Sequence, residues 1–184
     1  MKATILVERI SDAFKNLFDR DATLFTLGID GVNEQTITFR LGYYLQRQFR
    51  DLNVDCEYNR HWDDVKRCYR ITELGWMKPD LIVHRRESNR RNTFALEAKK
   101  RGDSARWFED WKIVERKLYE LTVRGEYGYT LGVAWKIAPS ASPTDHEMFW
   151  FASGENVLTT TLSEYEECVV DLLNRDHRNA TRLV

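Results

Sequence analysis

Lys78–Arg101 reads KPDLIVHRRESNRRNTFALEAKKR. Leu81-Ile82-Val83 is one apolar run and Thr93-Phe94-Ala95-Leu96 is a second. Between them, Glu87-Ser88-Asn89-Arg90-Arg91-Asn92 has the composition of a hairpin loop. The spacing predicts two antiparallel strands. Side chains alternate along a strand, so Glu97 and Lys99 share one face while Phe94, Leu96 and Ala98 share the other. A symmetric loop sets Arg86 against Thr93 and Asp80 against Lys99. Shifting the pairing by two residues keeps the parity and sets Asp80 against Glu97. In both registers Asp80, Glu97 and Lys99 emerge on one face at the open end of the hairpin. A slip of one residue would separate them.

Two adjacent carboxylates repel each other, and a hard divalent cation relieves that repulsion. Mg²⁺ prefers oxygen ligands, with water and substrate phosphate completing its shell. Such an ion activates water and steadies charge on a phosphoryl oxygen. A nearby ammonium adds to that stabilisation.

Working outward, residues 4 to 19 place Leu6, Ile10, Phe14 and Leu17 at helical spacing. Gly28 to Gly31 reads as a turn, and Asn33 as the N-cap of a second helix. That helix carries Ile37, Leu41, Tyr44, Leu45 and Phe49 on one stripe, and Glu34 opens the same stripe while Gln35 turns away from it. Glu34 is therefore either a first-turn acid favoured by the helix dipole or an acid aimed into the body of the protein. Asn53 to Tyr58 reads as a strand. Residues 59 to 78 read as strand or loop, with Trp62 and Tyr69 among basic residues. They suit stacking on nucleic acid or plain cover over a sheet.

After the hairpin, Gly102-Asp103-Ser104 predicts a turn and cap. The following helix buries Trp107, Trp111, Val114, Leu118 and Leu121, with Asp110 and Lys117 among its polar residues. Lys117 could extend toward the site, but a solvent-facing lysine is the default. Gly125 is the expected helix stop. Tyr129 to Ile137 has the length and apolarity of a buried central strand. Glu147 to Ala152 predicts one more strand, and Ser163 to Glu166 a capping box opening a last helix. The polar residues from Asn174 onward are expected to fray. The order is helix, strand, strand, strand, helix, strand, strand, helix: an α/β fold with a mixed sheet flanked by helices.

Pro79-Asp80 followed by Glu97-Ala98-Lys99 resembles the PD-(D/E)XK motif of the restriction-endonuclease-like nuclease superfamily. The elements between about residues 33 and 152 follow that superfamily's αβββαβ core, with the first helix and the C-terminal strand and helix as additions. The resemblance implies that Asp80 and Glu97 ligate Mg²⁺ or Mn²⁺, with the Ala98 carbonyl as a further ligand and Glu34 contacting the metal directly or through water. It implies that Lys99 positions the attacking water and stabilises the transition state. The implied activity is metal-dependent hydrolysis of nucleic acid, with DNA favoured over RNA. The alternative is a module on the same fold that binds nucleic acid or protein without cutting.

The chain has 184 residues, 42% apolar and 31% charged, which suits one domain spanning residues 1–184. Its net charge of −1 hides a local excess: residues 60 to 101 hold twelve Lys and Arg against six acids, or +6, leaving −7 elsewhere. The motif thus sits in a basic segment, which either meets a phosphodiester partner or simply solvates two exposed strands. Arg85, Arg86, Arg90 and Arg91 near the hairpin tip, with Lys100, are the candidate backbone contacts. Cutting both strands of a duplex calls for two sites, which favours a two-fold homodimer. Cys56, Cys68 and Cys168 have no metal-ligand spacing and suggest a reducing, cytoplasmic setting. No run approaches the length of a membrane span.

Overall fold

The computed structural model describes residues 1–26, 32–61, 64–65, 77–88, 91–123, 127–161 and 164–181. The chain forms α1 (Ala3–Asp21), α2 (Thr23–Thr26), α3 (Glu34–Gln48), β1 (Asn53–Cys56), β2 (Arg60–His61), β3 (Asp64–Val65), β4 (Leu81–His84) and β5 (Phe94–Lys100). Then come α4 (Ala105–Thr122), β6 (Leu131–Ile137), β7 (Glu147–Ala152), β8 (Glu155–Thr161) and α5 (Tyr165–Thr181). Six strands make one mixed sheet in the order β1-β4-β5-β6-β7-β8, while β2 and β3 pair separately. The fold is α/β, as the alternation of elements predicts.

Strand parity builds a core on each face of the sheet. Phe94, Leu96, Ala98, Val133 and Trp135 pack against Leu6, Ile10, Phe14 and Leu17 of α1 and Ile37, Leu41 and Leu45 of α3. Val169 and Leu173 of α5 join them on that side. Ile82, Ala95, Ala134 and Phe151 pack on the other side against Trp111, Val114, Leu118 and Leu121 of α4. The central strand β6 is buried on both faces, which explains its near-continuous apolar run. β5 and β6 pair in parallel because α4 carries the chain back across the sheet, whereas β4 runs antiparallel to both of its neighbours, β1 and β5.

The caps fall where the sequence places them. Asn33 Oδ1 accepts the Thr36 N–H at 2.8 Å, and Ser104 Oγ accepts the Trp107 N–H at 3.1 Å. The β4–β5 pairing matches Leu81 with Leu96 and Val83 with Phe94. Continued one step, this register sets Asp80 against Glu97, the second of the two registers anticipated.

Two expectations are corrected. The C-terminal additions include two strands, not one: β8 follows β7 through Ser153 (φ 52°) and Gly154 (φ 81°). Two successive left-handed residues make the type I′ turn that suits a hairpin's twist. The polar composition of ENVLTTT hid the strand, yet a Ser-Gly pair before a run of threonines was its available signal. The last helix does not stop near Asn174 but continues to Thr181. The readings at Gly28–Gly31, Trp62, Cys68, Tyr69, Arg90, Gly125 and Ser163 lie outside the described residues. No helix among the described residues is long and apolar enough to cross a membrane.

Candidate functional site

The site sits on the α4 face of the β4–β5 hairpin. Asp80 lies just before β4, where Cys56 closes the β1 pairing opposite Leu81. Its main-chain oxygen accepts the Glu57 N–H at 3.1 Å, and its Oδ2 accepts the Ala98 N–H at 2.8 Å. The carboxylate is thus pinned to the segment that carries Glu97. Glu97 is only 2% exposed. Burial, and then the charge of Asp80, raise its pKa to about 8, against the pull of Lys117. Burial also pushes the Asp80 carboxyl up, opposed by the Ala98 N–H and by Lys117, and reinforced by the charges of Glu34 and Glu57.

Two lysines face this pair, and they are held differently. Lys117 of α4 donates to both oxygens of Glu97, at 3.2 Å to Oε1 and 3.0 Å to Oε2. Lys99 shares the face of Glu97, but its Nζ lies 3.0 Å from Asp110 Oδ2. Asp110 is held below the usual carboxylate range by that bond. The expected neighbour of the carboxylates, Lys99, is therefore tied to the helix, and an ammonium from the helix occupies Glu97. Asp110 is the residue that the sequence reading missed, and Lys117 reaches the site in place of the solvent-facing default. They are seven positions apart, hence on one side of α4, and that spacing was the available signal.

Glu34 reaches the same end of the sheet from the opposite layer. Its Oε1 accepts the Lys100 N–H at 2.6 Å, while Trp107 Nε1 of α4 donates to the Lys100 carbonyl at 2.6 Å. Lys100 is thereby clamped between the helices of both layers. Gln35, turned away from the buried stripe as its position predicts, donates to Glu57 Oε1 at 3.0 Å. Lys78 pairs with the other oxygen of Glu57 at 2.9 Å.

A hard divalent cation suits the donor set at Asp80 and Glu97: two carboxylates on one face, each made costlier to ionise by burial. Among the described residues no three His, Cys, Asp or Glu side chains group closely enough to hold a metal on their own. Water and substrate oxygens would therefore have to complete the shell. Glu34 acts here through its charge on Asp80 and its bond to Lys100.

The arginines lie elsewhere. Arg91 lies in a 3-10 turn three residues before β5 begins at Phe94, and Glu97 lies three residues further along that strand, or about 10 Å at the rise of a strand. Arg86 is engaged by Asp55: its Nε lies 2.9 Å from Oδ2, and its Nη2 bonds Oδ1. His84 Nε2 lies 2.9 Å from the same Oδ2. These partners keep Asp55 far below the usual carboxylate range despite its burial. Arg85 and Arg91 are exposed, and Arg91 borders a cavity of about 490 Å³ together with Arg9 and Asp51.

No protein-family model, curated protein or solved structure matches this chain.

Proposed function

We propose that the protein is a metal-dependent nuclease of the PD-(D/E)XK type, acting on nucleic acid, with DNA as the favoured substrate. The observation that carries this reading is the meeting of Asp80 and buried Glu97 on one face, tied through the Ala98 N–H and attended by two lysines. The run α3-β1-β4-β5-α4-β6 fits the restriction-endonuclease-like core that the motif implies.

In this reading Asp80 and Glu97 hold Mg²⁺ or Mn²⁺, with the Ala98 carbonyl as a further ligand. The ion supplies Lewis acidity and an acidified water. The chain's own residues do the rest. The Ala98 N–H orients Asp80. Glu34 and Trp107 fix the Lys100 peptide, and with it the end of the strand bearing Glu97. Lys99, partly exposed beside Asp110, is placed to orient the water or meet the phosphate. Arg85 and Arg91 contribute to backbone binding only for a substrate running along the hairpin. Arg86 serves chiefly to hold Asp55. A two-fold dimer would supply the two sites needed to cut a duplex.

A second reading, a binding module without cleavage, is favoured by one observation: both lysines of the site are already paired with protein carboxylates. Cleavage assays separate the two. Wild type, Asp80→Asn and Lys99→Ala are incubated with labelled duplex, single-stranded and branched DNA and with RNA, in Mg²⁺, Mn²⁺ or chelator. Metal-dependent cutting lost in both variants is the expected result. Binding without cutting on every substrate would instead establish the module.

A further inference from the structure

We propose that Lys117 is a displaceable counter-ion: it holds the Glu97 carboxylate while the metal is absent, and a divalent cation must expel it. The inference rests on the metal-dependent reading above. Its ground is geometric. One ammonium engages both oxygens of Glu97, at 3.2 and 3.0 Å. A cation using either oxygen therefore competes with Lys117 for lone pairs and for space. The Lys117 side chain is 18% exposed and that of Glu97 is 3% exposed, so little water is at hand to screen the two cations from one another.

The competing ammonium also has a way out. Lys117 rides on a long four-carbon stem and projects from the same side of α4 as Asp110, which faces Lys99 at the partly exposed rim of the site. Expulsion from Glu97 sends its charge toward that rim, where a phosphodiester would approach. Lys117 is thus a positioning residue in the metal-free protein. When the cation enters, it becomes a second ammonium available beside Lys99. Metal entry and the arming of the site are in this way one event.

The test uses Mn²⁺ alone, without nucleic acid. Bound Mn²⁺ is followed by electron paramagnetic resonance at alkaline pH in wild type, Lys117→Met and Lys117→Arg, each checked for folding by its melting transition. Removing the competing charge is expected to tighten Mn²⁺ binding by about tenfold in Lys117→Met. Lys117→Arg, which keeps the charge, is expected to stay near wild type. Lysine ammonium NMR on the wild type needs no variant: addition of Mg²⁺ should move the Lys117 Nζ signal and speed its exchange with solvent. If Mn²⁺ binds wild type and Lys117→Met equally, or more weakly in the variant, or if the Lys117 signal stays put while Mg²⁺ binds, the counter-ion role is overturned and the nuclease reading stands. If wild type binds neither ion without nucleic acid, the counter-ion role is overturned and the cleavage assay alone decides the nuclease reading.

Discussion

Glu97 is the residue on which the site's energetics turn. Its proton leaves near pH 8 in the folded protein, against 4.5 for an ordinary glutamate. Between those values the folded chain holds a proton that the unfolded chain has lost. Stability from this group is therefore full below the lower value, declines as pH rises through the window, and levels off above the upper one. Glu97→Gln removes the titration. Its melting temperature should fall less than that of wild type between pH 4.5 and about 8, by the equivalent of a few kcal/mol. Parallel pH profiles for the two proteins would show that Glu97 ionises freely. At Glu34 the prediction separates charge from hydrogen bonding. Glu34→Gln keeps an acceptor for the Lys100 N–H and should change stability little, whereas Glu34→Ala orphans that donor and should cost about 1–3 kcal/mol in denaturant unfolding. An equal loss in both would place the effect in the charge. The carboxylates were legible in the sequence because strand parity fixes which residues share a face. The ammonium on Glu97 was legible only as an alternative to solvation, because a lysine on the polar side of a helix looks the same whether it meets water or a buried acid from another element.

At the scale of elements, the joint between β5 and α4 holds the site's upper edge. Gly102 lies in the turn between them. A Cβ there would stand 2.6 Å from Cδ1 of the Trp107 ring, the same indole that donates to the Lys100 carbonyl. Gly102→Ala should push Trp107 off that carbonyl, lower the melting temperature and change the tryptophan near-ultraviolet dichroism. An unchanged spectrum and melting point would show that the turn absorbs the methyl group elsewhere. The same scale shows where sequence reading stops. The β4–β5 hairpin was readable because its apolar runs are short and bounded by polar residues, but its register stayed twofold until the Leu81–Leu96 pairing resolved it. β8 went unread because an outer strand paired on one side only need not be apolar, and Thr159 to Thr161 carry little hydrophobic signal.

For the whole molecule, the sheet divides labour between its two ends. The carboxylates and lysines gather at one end of β5. The exposed Arg85 and Arg91 gather at the other, so the described basic residues divide between the two ends, with Lys78, Lys99, Lys100 and Arg101 on the side of Asp80 and Glu97. Sequence counts could not separate these two populations, because neighbours in the chain sit at opposite ends of a strand. A further consequence lies in time rather than in space. The carboxylate pair belongs to an antiparallel hairpin of local contacts, while the ammonium that answers it arrives twenty residues later on the crossover helix. Contacts closed across a crossover form late when their loop entropy must be met first. In stopped-flow experiments Lys117→Met should thus speed unfolding and leave the refolding rate nearly unchanged; slowed refolding would instead place the helix in the nucleus. A newly made chain would then carry its two acids side by side before their partner docks, and a late step of folding would bring one ammonium against them.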